Sequence, residues 1–318
     1  MFKGLNSSTI PNEWKEQNLI MICLKLGIPV SYIKDATVYD PPTIVGNYNK
    51  KFMGDIDIAF DDRKFWDFIP GNEHDCWIRL QKRLEQLKEL NVIKEYGLVK
   101  GWHQFSILLP LVNENFINSE WCYDHKGCTF IENPLIQVDC HIGNVPWMKQ
   151  ILGPANEDSK WKALYRTNLL ADAINSIQYV FDEEKKIYSK YTMDYKKGIY
   201  KTIYQIVPPT GRQKIDQEVL ISKELLTSDP NEINKILFLG KIPYSFVGST
   251  NSFEQVYKMM KSDNFKFKEL FPNIINKFYT RLTKEKLEIP EEIINELQMD
   301  LFKEVSGNVN QDMLYQNP

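Results

Sequence analysis

Two aspartates separated by one isoleucine, Asp55 and Asp57, stand in the run 54–60, where apolar and acidic residues alternate. Successive side chains of a β-strand point to opposite faces of the sheet, so Ile56 and Ile58 face a core while both carboxylates share the other face. Carboxylates held on one face repel each other unless a cation lies between them. The pattern therefore predicts a cation site on a strand.

A third acid, Asp139, lies in the apolar run 135–142, between Val138 and Cys140. If its strand neighbours the first one, three carboxylates meet, and such a set binds two hard cations, Mg²⁺ or Mn²⁺, about 3.5–4 Å apart. One ion lowers the pKa of an attacking hydroxyl, and the other holds a triphosphate and its leaving pyrophosphate. The predicted chemistry is in-line phosphoryl transfer.

The elements that must position these acids follow from apolar spacing. Periods near 3.6 predict helices, and short apolar runs predict strands. In the first half the predicted helices are 12–27 and 75–90, and the predicted strands are 43–46, 53–60, 92–98, 102–112 and 135–142. In the second half the predictions are a helix at 159–181, a hairpin at 187–207 turning near Lys197-Gly198, and helices at 229–239, 252–262, 265–282 and 291–305.

These elements predict an α/β fold of two domains. Residues 1–152 would form a small mixed sheet backed by helices. Residues 153–318 would form a mainly helical domain with a β-hairpin, and this domain would bind the nucleotide or the acceptor. We expect the active site to lie in the cleft between the two halves.

The run Gly54-Asp55-Ile56-Asp57-Ile58, the upstream Gly46 and the apolar-flanked Asp139 resemble the signature of the DNA polymerase beta nucleotidyltransferase superfamily. The resemblance covers about residues 40–150 and is closest to the palm of family X DNA polymerases. It implies that the three aspartates are catalytic metal ligands and that the substrate is an NTP or dNTP.

The chain departs from that family in ways that argue against a template-copying polymerase. Gly46-Asn47 stands where the family usually has Gly-Gly or Gly-Ser, and Lys50-Lys51 is the nearest basic pair where it usually has arginines. The first 40 residues leave no room for the helical DNA-binding domains that precede a family X palm.

The resemblance also implies a set of nucleotide-binding residues. Gly46 and Asn47 would let the backbone approach the triphosphate, and Lys50 or Lys51 would meet its charge. Residues of the helix after the palm often touch the triphosphate or base, which makes candidates of Ser159, Lys160 and Arg166. An alternative for Ser159 is a helix N-cap.

A basic segment, 185–214, carries eight Lys or Arg residues, a single acid, Asp194, and five interleaved tyrosines. Cations neutralise phosphates and aromatic faces stack bases, so the segment predicts nucleic-acid binding. The alternative is a hairpin with one packed tyrosine face and one solvated lysine face. The candidate contacts are Lys190, Lys196, Lys197, Lys201, Arg212 and Lys214.

Cys122, His125 and Cys128 are closely spaced soft ligands, but structural zinc usually needs four, so a turn with ordinary thiols is the favoured interpretation. His103 and His141 lie in predicted strands and are interpreted as packed residues.

The remaining sequence features concern the whole chain. Five cysteines predict no disulfide framework, and a net charge of -3 excludes a uniformly basic coat. With neither a membrane span nor a signal peptide in the pattern, we expect a cytoplasmic protein, of cellular, viral or phage origin.

The sequence thus predicts transfer of a nucleoside monophosphate to a hydroxyl, preferably the 3′ end of RNA or DNA without a template. Two alternatives stay open: a nucleotidyltransferase that modifies a small molecule or a protein, and an inactive palm used as a structural or nucleic-acid-binding module. Base preference and oligomeric state are left open as well.

Overall fold

The computed structural model describes residues 10–11, 15–34, 40–46, 52–110, 135–154, 159–182, 184–209, 216–239 and 252–298. The chain divides into two compact units. Unit 1 comprises Met1–Asp158, Asp194–Gly198 and Ser228–Pro230, and unit 2 comprises Ser159–Met193, Ile199–Thr227 and Asn231–Pro318. Predictions on the following residues lie outside the described ranges: Asn47, Lys50, Lys51, the stretch 113–133 with Cys122, His125 and Cys128, Arg212 and Lys214.

Unit 1 is a mixed α/β unit. Its strands are β1 (Ile10–Pro11), β2 (Thr43–Val45), β3 (Phe52–Met53), β4 (Asp55–Asp61), β5 (Glu95–Val99), β6 (Gln104–Pro110) and β7 (Leu135–Gly143). Its α-helices are α1 (Lys15–Leu26), α2 (Val30–Lys34), α3 (Cys76–Glu89) and α4 (Val145–Ile151), and 3₁₀ turns lie at Phe65–Phe68 and Lys100–Trp102.

The main sheet of unit 1 has the order β2-β4-β7-β6-β5. Strands β4 and β7 run parallel, and each of the other neighbouring pairs is antiparallel. The mixed sheet predicted from the sequence is therefore confirmed. A separate two-stranded pair joins β1 to β3.

One face of this sheet forms the core of unit 1. Ile56, Ile58 and Phe60 of β4 are fully buried there, in one cluster with apolar residues of β6, β7, α1 and α3. Full burial of each such side chain contributes about 1.5–3 kcal/mol. The core therefore fixes which face β4 turns inward, and its acids must take the other face.

Helix α3 shows why the local sequence folds as predicted. The Asp75 carboxylate caps its start by accepting from Trp77 N at 2.8 Å. Leu80, Leu84 and Leu87 lie one turn apart and are buried against the sheet. The prediction of a helix at 75–90 is confirmed.

Unit 2 combines helices with a four-stranded sheet of order β11-β10-β9-β8. Its strands are β8 (Gln178–Asp182), β9 (Ile187–Asp194), β10 (Gly198–Val207) and β11 (Gln217–Thr227). Its helices are α5 (Ala163–Ile174), α6 (Glu232–Leu237), α7 (Phe253–Lys261), α8 (Phe271–Glu285) and α9 (residues 291–298), with a 3₁₀ turn at Lys268–Leu270.

Two sequence predictions for unit 2 are corrected. The helix expected at 159–181 spans only Ala163–Ile174 and is capped at Asn175, because residues 178–182 pair with β9 as a strand. The expected lone hairpin, confirmed as β9 and β10, belongs to a larger sheet, since β11 pairs along β10. Among the described residues, no helix combines the length and the apolar character needed to cross a membrane.

Candidate functional site

The register between β4 and β7 decides where the acids lie. These strands run parallel, with Asp57 opposite Asp139 and Asp55 opposite Gln137. Neighbouring strands are about 4.8 Å apart, and residues directly opposite share a face. The structure therefore brings Asp57 and Asp139 side by side, with Asp55 two residues before Asp57 on the same face.

Each of the two facing carboxylates has a polar partner on β7. His141 Nε2 lies 3.0 Å from Asp57 Oδ1, and Gln137 Nε2 donates to Asp139 at 3.1 Å (Oδ2) and 3.3 Å (Oδ1). Asp57 and Asp139 are half-buried, and Asp55 is exposed. Solvent and ligands can therefore reach this row from the Asp55 end.

Gly46 is packed directly against Asp57. Its φ is +80°, a left-handed conformation that favours glycine, and a side chain there would overlap the Asp57 carboxylate. The Gly46 N–H donates to Leu152 O at 2.9 Å, which fixes the end of β2. Gly46 therefore lies beside Asp57, and its predicted role in letting the backbone approach a triphosphate stays a prediction.

Lys196 also belongs to this face of unit 1. The residue is 8% exposed, and its Nζ donates to the Trp102 carbonyl, to His103 O at 3.2 Å and to Gln104 Oε1 at 3.4 Å. Burial lowers the pKa of its ammonium to about 8, although the nearby carboxylates of Asp194, Asp139 and Asp57 act in the opposite direction. The ammonium is therefore buried and bonded to backbone carbonyls, and nucleic-acid binding by Lys196 stays a prediction.

The donor set fits hard divalent cations, because carboxylate oxygens are the ligands that Mg²⁺ and Mn²⁺ prefer. The side chains are not gathered around one point, however. Within the described part of the chain, no group of three or more His, Cys, Asp or Glu side chains is arranged to hold a metal ion. The backbone register suits a metal pair, while Asp57 and Asp139 are turned toward His141 and Gln137.

The other predicted nucleic-acid contacts have protein partners too. Lys190 Nζ lies 2.9 Å from Glu218 Oε2 and 4.3 Å from the ring centre of Tyr204. Lys197 Nζ lies 3.8 Å from Asp62 Oδ2 within unit 1. These pairings agree better with the alternative of a packed tyrosine face, and nucleic-acid binding by this segment stays a prediction. Lys201 sits opposite a β11 acid, Glu224.

The candidates at the start of unit 2 take structural positions there. Ser159 Oγ donates to Glu254 Oε2 at 2.9 Å, and Lys160 N donates to Glu254 Oε1 at 2.9 Å. Ser159 is not the N-cap of α5, because that position is taken by Lys162. Arg166 is 1% exposed in α5, and burial lowers its guanidinium pKa to about 10. The sequence did not predict the contacts with Glu254 or the burial of Arg166.

The sequence prediction missed the contact of His141 with Asp57. His141 is two residues after Asp139, so strand alternation puts both on one face, and that spacing was the available signal. Its other ring nitrogen, Nδ1, is buried with no hydrogen-bond partner among the described residues. The contact of Lys196 with the β5–β6 turn had no comparable signal, since 92 residues separate Lys196 from Gln104.

No protein-family model and no curated protein sequence matches the chain. Among solved structures, the chain aligns with Leishmania infantum polymerase beta in a ternary P/T complex, at 12% identity and a TM-score of 0.37, over 76% of each chain. A TM-score this low does not establish a shared fold. A proposal for the function of this chain therefore has to rest on its own residues.

Proposed function

We propose that the protein is a metal-dependent nucleotidyltransferase that transfers a nucleoside monophosphate from an NTP or dNTP to a hydroxyl and releases pyrophosphate. The preferred acceptor is the 3′ end of RNA or DNA, used without a template. The single observation that carries the proposal is the parallel pairing of Asp57 with Asp139. It sets two like charges on neighbouring strands of one sheet face, an arrangement that costs free energy unless a cation compensates it.

Asp55, Asp57 and Asp139 are the residues that would hold Mg²⁺ or Mn²⁺. The bound ions would supply charge neutralisation for the phosphates and a more acidic attacking hydroxyl. The three carboxylates would orient the triphosphate through these ions, and Gly46 leaves space beside Asp57. His141 and Gln137 hold the carboxylates of Asp57 and Asp139 in defined orientations.

The test is incubation of the protein with labelled NTPs or dNTPs, Mg²⁺ or Mn²⁺, and single-stranded RNA and DNA. Wild type is compared with Asp57→Asn, Asp139→Asn and the control Asp263→Asn, which removes a fully exposed carboxylate of unit 2. We expect oligonucleotide ladders with wild type and the control. Loss of a group that stabilises transition-state charge lowers the reaction rate by about 10²- to 10³-fold, so we expect at least that reduction in transfer rate for both site variants.

The remaining outcomes separate the alternatives. Label on a small molecule or on protein, lost in Asp57→Asn, would replace the preferred acceptor and keep the reaction class. Absence of any transfer, together with no Mn²⁺ binding by titration, would overturn the proposal in favour of an inactive palm.

A further inference from the structure

An exposed tryptophan lies on the turn between β5 and β6. Trp102 is 71% exposed, and the neighbouring residues Lys100 and Gly101 are exposed as well. A single exposed apolar side chain needs no explanation by itself. Trp102 differs because hydrogen bonds hold its turn, and because lysines and a second aromatic side chain lie near other residues of that turn.

The turn is braced at several points. His103 N donates to Lys100 O at 3.0 Å, and His103 adopts a left-handed conformation with φ of 48°. The His103 carbonyl accepts from Ile142 N at 2.9 Å, while the Trp102 carbonyl accepts from the buried Lys196 ammonium. A side chain on such a turn loses little backbone freedom when a ligand binds it.

The turn that carries Trp102 has basic and aromatic residues on it and beside His103. Lys100 precedes it on the turn, and Lys197 is close enough to His103 to contribute to lowering the pKa of that imidazole, after burial. The ring of His103 lies 6.1 Å from that of Trp77. Aromatic faces beside lysines are the two components with which proteins bind single-stranded nucleic acid, by stacking bases and neutralising phosphates.

The turn lies along the sheet from the acidic row. Gln104 of β6 pairs with His141, and the His103 carbonyl accepts from Ile142 N, so the turn lies at the Ile142 end of β7. Asp139 is three residues before Ile142 on β7, so the separation along the strand is roughly 10 Å at about 3.3 Å per residue. A single strand rising about 3.4 Å per stacked nucleotide covers this span in about three nucleotides.

From these observations we infer that Trp102 is a base-stacking platform for a single-stranded nucleic-acid acceptor, with Lys100 contacting its phosphates. The inference rests on the proposed function, because it identifies the acceptor of that reaction. It assigns binding to the β5–β6 turn of unit 1 and not to the lysines of the unit 2 sheet.

The test measures fluorescence anisotropy of a labelled single strand of about twelve nucleotides, within the range of known single-strand sites. The full chain is used in EDTA without nucleotide, so binding is measured independently of metal and transfer. The variants are Trp102→Ala, Trp102→Phe and Lys100→Ala, and the matched control is Leu90→Ala, whose side chain is also 71% exposed. A probe with the same backbone and no bases separates stacking from charge.

Loss of one stacked base costs about 1–3 kcal/mol, so Trp102→Ala should weaken binding about 5- to 150-fold. Trp102→Phe should retain most of the affinity, Leu90→Ala should match wild type, and the base-free probe should not distinguish Trp102→Ala from wild type. Lys100→Ala should lower the slope of log affinity against log salt by about one.

Unchanged affinity of folded Trp102→Ala, checked by near-ultraviolet circular dichroism, would overturn the inference. An equal loss of affinity of Trp102→Ala for the base-free probe would also overturn it. So would a change of oligomeric state of Trp102→Ala in sedimentation without a change in affinity, because Trp102 would then be a protein contact. Trp102-dependent binding with neither transfer activity nor Mn²⁺ binding would support base stacking by Trp102 and reject the proposed function. Equal transfer to oligonucleotides by wild type and Trp102→Ala would support the proposed function and overturn this inference.

Discussion

The two sheets of the molecule carry charge in different ways. In the unit 1 sheet, Asp57 and Asp139 are like charges on neighbouring strands, and they form hydrogen bonds with a histidine and an amide. In the unit 2 sheet, Lys190 lies beside Glu218 and over Tyr204, so its charge is met within the sheet. Facing like charges therefore favour the proposal of a ligand site more directly than a high count of lysines does.

The two sheets also differ in how far their apolar residues are buried. The apolar residues of β4 are fully buried on one face of its sheet, whereas those of β11 are about half exposed, including Leu220 at 51% and Ile221 at 52%. Strand β4 is thus positioned by a core, and β11 is positioned by its pairing with β10. A functional group on β4 can be held in place, and this is what a catalytic carboxylate requires.

The largest effect should come from filling the space beside Asp57. In Gly46→Ala, the new methyl group overlaps the Asp57 carboxylate and the φ of +80° becomes strained. We expect loss of transfer comparable with that of Asp57→Asn, and a free energy of unfolding lower by about 1–3 kcal/mol. Both are measured on one preparation, by transfer assay and denaturant titration.

Gly101→Ala is the control for stability, because a side chain there meets nothing within 4 Å. Its free energy of unfolding should stay within about 0.5 kcal/mol of that of wild type. If Gly46→Ala were as active as wild type, the position of the Asp57 carboxylate would not matter for the chemistry, and the difference between the two sheets would have no bearing on function.

The next effect concerns the histidine beside Asp57. Removal of a group that orients a metal-binding carboxylate typically lowers metal affinity by about 10- to 100-fold. We therefore expect His141→Leu to weaken Mn²⁺ binding in that range, and His141→Gln, which keeps a donor, to weaken it less. Electron paramagnetic resonance titration measures free Mn²⁺ directly.

His74→Leu removes an exposed histidine of the loop before α3 and should leave Mn²⁺ affinity unchanged. Tighter Mn²⁺ binding by His141→Leu would show the opposite relationship, in which His141 competes with the ion for Asp57.

These cases show what could be predicted from the sequence. Alternation along 54–60 was enough to assign the faces of β4, because a core covers one face and forces the acids onto the other. Strand β11 was not predicted, since both of its faces are exposed and its residues show no alternation of apolar and polar types. The contacts of Lys196 also escaped prediction, because they depend on a turn packed against residues far away in the chain.

A smaller effect concerns pH. Burial lowers the pKa of Lys196 to about 8, against 10.5 for an ordinary lysine. Between these values the unfolded chain binds more protons than the folded chain, so the contribution of Lys196 to stability rises with pH. From pH 7 to 9.5, the free energy of unfolding of wild type should rise by about 2 kcal/mol relative to Lys196→Met.

Denaturant titrations of both proteins across this range measure the difference, and Lys284→Met reports the effect of losing an exposed ammonium. A constant difference between wild type and Lys196→Met would mean that the buried ammonium keeps its proton to higher pH, held by the carbonyls it contacts.

The smallest effect should come from the sheet of unit 2. Because the Lys190 ammonium already contacts Glu218 and the Tyr204 ring, Lys190→Met should weaken oligonucleotide binding less than about twofold, while stability falls by about 0.5–1 kcal/mol through the lost cation–π contact. Lys100→Ala on the same probe is the comparison. If Lys190→Met lowered the salt slope as much as Lys100→Ala did, Lys190 would have to exchange Glu218 for a phosphate on binding, and the basic segment would be part of the nucleic-acid surface after all.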